Sequence, residues 1–338
     1  MYGTIFGDYV GSVYEFDNIK TKEFELFNPR ASITDDSIMS IAVASACLNY
    51  AYHRDYDQFT NDVARELHRI GRLYPFPMGG YGSMFRNWLA SRDPKPYGSW
   101  GNGSAMRVAP CAWVANSLLE AEQLGWHSAL PTHDHPDAMI GAKAISGCIY
   151  LARTGKSKAH ILDYLRQSFY PMDKTIDEIR PTYEFDGSCL GTAPVAVQAF
   201  LESTDFEDAI RNAVSLGGDC DTLTAITGSI AEAYYGMPTL HTKLTERALF
   251  EGLRDDEMEI VNDFRNEFCS IEKDYPCQRL TALLERINID QESARTISRH
   301  INRPFHRMQM IQWLEAHPES SAEKVVKQSL MICRKSAE

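Results

Sequence analysis

The sequence predicts an all-α protein, and three observations carry that expectation. Segments with clear periodicity follow the helical spacing of about 3.6 residues rather than strand alternation, they are rich in Ala, Gly and Ser, and clusters of Gly, Pro and Asp separate them. Residues 35–50 place Ile38, Ile41, Ala42 and Ser45 on one stripe, with Thr34 as N-cap and Asp35 and Asp36 in the first turn, where the helix dipole favours negative charge. Residues 71–83 and 91–104 are dense in Gly, Pro and aromatics and read as loops; long irregular loops in a helical body are often functional. The stretch 136–153 starts with Pro in the first helical turn, and its small side chains let helices approach closely. Residues 191–202, 206–215 and 221–235 continue the helical pattern. Beyond about 241 longer charged side chains take over, with helical periodicity at 278–287 and 321–333. We therefore expect a catalytic domain at 1–240 and a C-terminal helical extension at 241–338 that covers the core, mediates association or adjusts access to a cleft.

With 338 residues the chain can bury a sizeable core, and its net charge of -12 argues against partners built on nucleic-acid phosphates or anionic lipid, which call for a basic face. An anionic ligand would need local donors or bound cations. The eight cysteines include no C-x-x-C pair, which fits free thiols in a reducing, cytoplasmic setting better than a disulfide framework. Neither a signal-type N-terminus nor an apolar run of about 20 residues occurs, so membrane insertion is not expected.

The chemistry concentrates in two motifs, TDDS at 34–37 and GGDCDT at 217–222. Each sets two carboxylates and a hydroxyl at a helix start. Neighbouring carboxylates repel unless a cation neutralises them. Oxygen ligands from Thr34, Asp35, Asp36, Asp219, Asp221 and Thr222, without His or Cys, suit Mg²⁺ or Mn²⁺ rather than Zn²⁺, with room for two ions sharing one Asp. Either motif alone reads more readily as an ordinary acidic cap or solvated turn; the pair of them argues for metal. Around them, GDYVGSVYE (7–15) adds Asp8 and Glu15, where Asp8 could simply cap a helix from Tyr9. GNGSAMR (101–107) is a loop-to-helix turn whose backbone amides and Ser104 hydroxyl suit phosphate oxygens, or else a plain capped turn. THDHPDA (132–138) sets His133 and His135 before a Pro-initiated helix, His135 reading as structural. The aromatics Tyr81, Phe85, Trp88, Tyr97 and Trp100 suit stacking on a base, although i, i+4, i+7 spacing marks core residues more often.

These five motifs, in this order and at this spacing, resemble those of the ADP-ribosylglycohydrolase family, over about residues 1–240. The resemblance implies a compact, orthogonal multi-helix bundle whose cleft ends in a binuclear Mg²⁺ or Mn²⁺ centre and binds ADP-ribose. It implies that Thr34, Asp35, Asp36 and Asp221 hold one metal and Asp219, Asp221 and Thr222 the other. Glu15 matches the family's glutamate near the second metal and its water, and is expected to activate that water, with Asp35 next in line as base. Gly101, Asn102, Gly103, Ser104 and His133 fall where the family contacts the ADP-ribose phosphates and ribose. TDDS in place of the commoner TDDT, and THDHP in place of SHxxP, are modest departures. The expected partner is an ADP-ribosylated protein or small ADP-ribosyl conjugate. Two other functions stay open: a dimetal hydrolase of another nucleotide or phosphate ester, and a non-catalytic ADP-ribose-binding protein.

Overall fold

Glycine spacing on the first helix dictates how the molecule is assembled. In the computed structural model, which describes residues 1–269, 316–335 and isolated positions between 284 and 314, α1 (Tyr2–Gly11) lies in backbone contact with α13 (Cys220–Tyr235). Gly3, Gly7 and Gly11 recur every four residues and so share one face of α1. A Cβ on Gly7 would stand 2.0 Å from the Thr224 carbonyl oxygen, and one on Gly3 would stand 2.1 Å from that of Gly228. Larger residues would hold the helices apart. Both elements carry acidic motifs, so this approach is what brings those motifs together.

Between them the chain forms α2 (Asp35–His53), α3 (Tyr56–Leu73), α4 (Ser83–Ala90), the short α5 (Gly103–Met106), α6 (Ala109–Val114), α7 (Leu118–Ala129), α8 (Pro136–Arg153), α9 (Lys158–Ser168), the short α10 (Ile176–Ile179), α11 (Cys189–Leu201) and α12 (Phe206–Val214). α14 (Thr239–Gly252) and α15 (Asp255–Phe268) follow, packing on α1 and α2 respectively, and the helix Ala322–Lys335 comes last. Among the described residues there is no strand, only two isolated bridges, Thr34 with Met78 and Gly101 with Ser188. The all-α expectation holds, and the helices read from periodicity at 35–50, 136–153, 191–202, 206–215 and 221–235 match α2, α8, α11, α12 and α13 to within a few residues. The expected 321–333 helix is present, whereas that at 278–287 lies, Leu284 apart, outside the described residues. No described helix is long and apolar enough to cross a membrane.

The core is one continuous cluster in which Ala recurs on the buried faces of α2, α8, α11 and α13. Small side chains bury little area each but permit close approach, so dispersion contacts accumulate over backbone as well as side chains. Tyr81, Phe85 and Trp88 belong to this core, the last two ring-stacked at 5.5 Å, so their helical spacing marked packing. Trp100 and Phe185 instead stay half-exposed beside a cleft of about 410 Å³.

Candidate metal centre and substrate cleft

Thr34 caps α2: its Oγ1 accepts from the Asp36 amide at 3.2 Å and donates to Asp8 Oδ1 at 2.7 Å, which leaves one lone pair of that oxygen for a cation. The cap sets Asp35 and Asp36 in the first turn. Asp8 is not the cap of its own helix, as one sequence reading allowed. It sits fully buried inside α1 and reaches across to α2, accepting from the Thr34 amide at 2.9 Å, the Ser37 amide at 3.0 Å and the Ser37 hydroxyl. A carboxylate supplied by one helix thus satisfies the open N–H groups of another.

The second motif is built by its glycines. Gly217 and Gly218 take φ of 67° and 75°, the left-handed region, and so turn the chain into α13. Asn18 grips the turn from both sides, its Oδ1 accepting from the Gly218 amide at 2.7 Å and its Nδ2 donating to the Gly218 carbonyl at 3.0 Å. Asp219 then lies at the N-cap position, with Asp221 and Thr222 in the first turn. Thr222 Oγ1 donates to Asp36 Oδ2 at 3.2 Å, linking the two motifs directly. Oxygens of Glu15, Asp219 and Asp221 converge within 4.8 Å of one another.

At that separation two like charges repel by about 3 kcal/mol even at an effective dielectric of about 20. The site shows the consequence. Burial, reinforced by the acidic neighbours, drives Asp35, Asp36 and Asp221 well above the ordinary carboxylate range. Burial, then the charges of Asp219 and Asp8, push Glu15 up to about 7; burial raises Asp8 to about 6 against the bonds from Ser37 and Thr34. Asp219 is raised by burial and partly relieved by its donors. Asp36 Oδ1 and Glu15 Oε2 are buried with no hydrogen-bond donor. Hard oxygens, uncompensated negative charge and orphaned acceptors fit a divalent cation of the magnesium type.

The cleft opens from this acidic end. One wall is the turn at Gly101–Gly103, fixed by the Asn102 amide donating to Gly187 O at 2.9 Å and the Cys189 amide donating to Trp100 O at 3.0 Å. His133 lines the same wall. Two expected binding residues are placed otherwise than their side chains suggested. The Ser104 hydroxyl is buried and donates to the Ala138 carbonyl at 2.8 Å, and the Asn102 side chain donates to Asp219 Oδ2 at 2.7 Å, steering a metal-site carboxylate. The opposite wall is the 74–82 loop, bridged at Met78 to Thr34 and pressed at Gly79 against the Glu15 carboxyl. His135 is the N-cap of α8, its Nδ1 accepting from the Asp137 amide at 3.3 Å, as its structural reading held.

Against known proteins, a profile described as ADP-ribosylglycohydrolase matches residues 1–272. The chain belongs to the ADP-ribosylglycohydrolase family. Relatives within reach are distant. The ADP-ribosylarginine hydrolase Tri1 of Pseudomonas putida (strain GB-1) is 26% identical over 277 residues, covering 72% of each chain. The ADP-ribosylhydrolase ARH3 of Homo sapiens is 25% identical over 312 residues, covering 70% of this chain and 84% of that one. A solved structure titled ADP-ribosylglycohydrolase-related protein complex aligns at TM-score 0.51 and 24% identity, over 73% of this chain and 93% of that chain, which shows the shared fold. The match to the family profile extends through α14 and α15, past the 240 boundary of the sequence resemblance.

Sequence reading missed Asp8, Asn18, Arg107 and Thr132 as parts of the site's frame. Asp8, Arg107 and Thr132 lie inside quoted motifs, but nothing in their spacing says that Asp8 reaches across to another helix, or that Arg107 is fully buried.

Proposed function

We propose that this ADP-ribosylglycohydrolase uses two divalent cations, Mg²⁺ or Mn²⁺, to hydrolyse the bond between the ribose anomeric carbon of ADP-ribose and an N- or O-linked acceptor on a protein side chain or small conjugate. The observation that carries the reading is the set of mutually repelling carboxyls of Glu15, Asp35, Asp36, Asp219 and Asp221, with Glu15 Oε2 and Asp36 Oδ1 left without donors, in a cleft also lined by Gly101–Gly103 and His133. Thr34, Asp35, Asp36 and Asp221 would hold one ion and Asp219, Asp221 and Thr222 the other. When bound, such ions hold ribose or phosphate oxygens and acidify water.

The chain's own residues supply the remainder. Cleavage at the anomeric carbon passes through an oxocarbenium-like state, so nearby negative charge stabilises it and a base must take a proton from the attacking water. Glu15 is that base: its carboxyl lies within 4.8 Å of the Asp219 and Asp221 oxygens and has an oxygen without a donor. The water's oxygen bonds to the anomeric carbon, its proton passes to Glu15, and the acceptor departs with the bonding pair and takes up a proton. Asn102 keeps Asp219 aimed at the metal, and His133 with the Gly101–Gly103 turn holds the diphosphate. Trp100 and Phe185, half-exposed at the mouth, are placed to flank the adenine. The segment from 241 contributes no residue to the cleft lining among those described, which supports a covering role for it.

The test is turnover of arginine-linked and serine-linked ADP-ribosyl peptides with Mg²⁺ or Mn²⁺, read by mass spectrometry. Release of intact ADP-ribose is expected, abolished by EDTA, which should also lower the melting temperature. Release of phosphate instead would transfer the protein to the phosphate-ester class, and ADP-ribose binding without any product would make it a binding protein.

A further inference from the structure

In the cleft wall lies a buried cation that the chemistry above does not use. Arg107, just past α5, is 1% exposed and makes no ion pair among the described residues. Its Nη2 donates to the Ser128 carbonyl at 3.0 Å and to Thr132 Oγ1 at 2.8 Å, while its Nε is buried with no acceptor. Burying a guanidinium without a carboxylate is costly. The cost calls for a return beyond packing, and the Thr132 hydroxyl that Arg107 holds bonds in turn to His133, which lines the cleft with it.

Hydrogen-bond bookkeeping gives the direction. A guanidinium has donors and no acceptor, so the Thr132 oxygen accepts from Arg107. The hydroxyl proton is then available to His133 Nδ1, 2.7 Å away. An Nδ1 that accepts this proton carries none of its own, so the neutral ring bears its proton on Nε2. That nitrogen faces the Gly101–Gly103 turn, where a Cβ on Gly103 would lie 3.0 Å from it. Burial first, and the Arg107 charge second, hold His133 well below the usual imidazole range, which keeps the ring neutral. The rival arrangement has Thr132 give its proton to the phenol of Tyr97, which interacts with the same hydroxyl, and take one from Nδ1. Nε2 would then be an acceptor.

We propose that Arg107 and Thr132 are positioning residues that lock His133 as the Nε2–H tautomer, so that this wall of the cleft offers a hydrogen-bond donor to an anionic diphosphate oxygen. The ligand half of this inference rests on the cleft being an ADP-ribose site; the tautomer half does not. An oxygen acceptor meets a fixed N–H without reorganisation, whereas a ring free to exchange tautomers would present an acceptor part of the time and repel the phosphate.

Long-range ¹H–¹⁵N spectra of the metal-free protein, with His133 assigned through His133→Gln, test the lock directly. We expect Nε2 protonated and Nδ1 bare in the native chain and in Tyr97→Phe. Thr132→Val, which keeps the shape and removes the hydroxyl, is expected to mix the tautomers, and Thr132→Ser to restore them. Calorimetry with ADP-ribose should show affinity about 10-fold weaker in Thr132→Val and recovered in Thr132→Ser, with Mg²⁺ affinity unchanged in both. A native His133 protonated on Nδ1, or a Thr132→Val chain with the native tautomer and native affinity, overturns the proposal. The native spectrum alone decides the tautomer should Thr132→Val fail to fold. Native chain that shows the tautomer but binds no ADP-ribose overturns the functional reading and the ligand half, leaving the tautomer lock in place.

Discussion

Replacing Gly7 by Ala tests the idea that one helix contact assembles the site. The added methyl would sit 2.0 Å from the Thr224 carbonyl oxygen and 2.9 Å from the Ala225 amide nitrogen, against an ordinary contact of 3.4 Å or more. Both neighbours are backbone inside α13 and cannot rotate away, so α1 and α13 must separate locally by about 1.4 Å. Overpacking of this kind costs about 3 kcal/mol, and the better helix propensity of Ala returns about 1. The net of about 2 kcal/mol lowers the melting temperature by about 3 °C, since 338 residues at about 2.1 cal/mol/K each give an unfolding entropy of about 0.7 kcal/mol/K. The larger effect falls on the metal centre. Metal–oxygen distances tolerate only about 0.2 Å, so moving Asp8 and Glu15 away from Asp219 and Asp221 should weaken Mg²⁺ binding by more than 10-fold. Scanning calorimetry with and without Mg²⁺ and a titration of the ion measure both numbers, with Gly82→Ala as control, since a Cβ there meets nothing within 4 Å. A Gly7→Ala chain that melts with the native protein and binds Mg²⁺ as tightly refutes the argument that close helix approach forms the site.

Glu15→Gln removes the base while preserving shape and should cost on the order of 10²-fold or more in turnover, with bound metal surviving better than in Asp221→Ala; because the Glu15 carboxyl lies within 4.8 Å of Asp219 and Asp221 oxygens, metal analysis of both variants is the deciding measurement. Near-native turnover in Glu15→Gln would move the base role to Asp35. Metal-free protein should lose stability as pH rises, because Glu15 and Asp8 bind protons more tightly folded than unfolded: the penalty is absent below pH 4, grows from the ordinary values of 4.5 and 3.8, and is complete above their folded values of about 7 and 6. The Mg²⁺-induced rise in melting temperature should grow across the same window, and a metal-free protein whose melting is flat or rises from pH 5 to 7 contradicts the carboxylate assignment. Asn102→Ala strips Asp219 of a donor at 2.7 Å and should weaken metal binding by about 10- to 100-fold in a titration with Mn²⁺; an unchanged constant would show that Asp219 needs no such orientation.

The sequence by itself determined the helical class, the positions of α2, α8, α11, α12 and α13, and the two acidic motifs. It could do so because helix caps, small-residue faces and paired carboxylates at helix starts are local patterns, complete within a few residues. The family resemblance joined those motifs into one site, and the convergence of Glu15, Asp219 and Asp221 agrees with it. Packing decided what local pattern could not express. Asp8 looks like any turn acid until α2 is laid across it, and Asn102 and Ser104 look like ligand donors until Asp219 and Ala138 claim them. Tyr81 and Trp88 could have stacked on a base until the core took them, leaving Phe85, Tyr97 and Trp100 to line the cleft. For Asp8, Asn102 and Ser104 the side chain's partner comes from a segment that chain order places elsewhere, such as Asp219, 117 residues from Asn102. A donor or acceptor has no assigned role until its partner arrives, and only the tertiary structure supplies that partner.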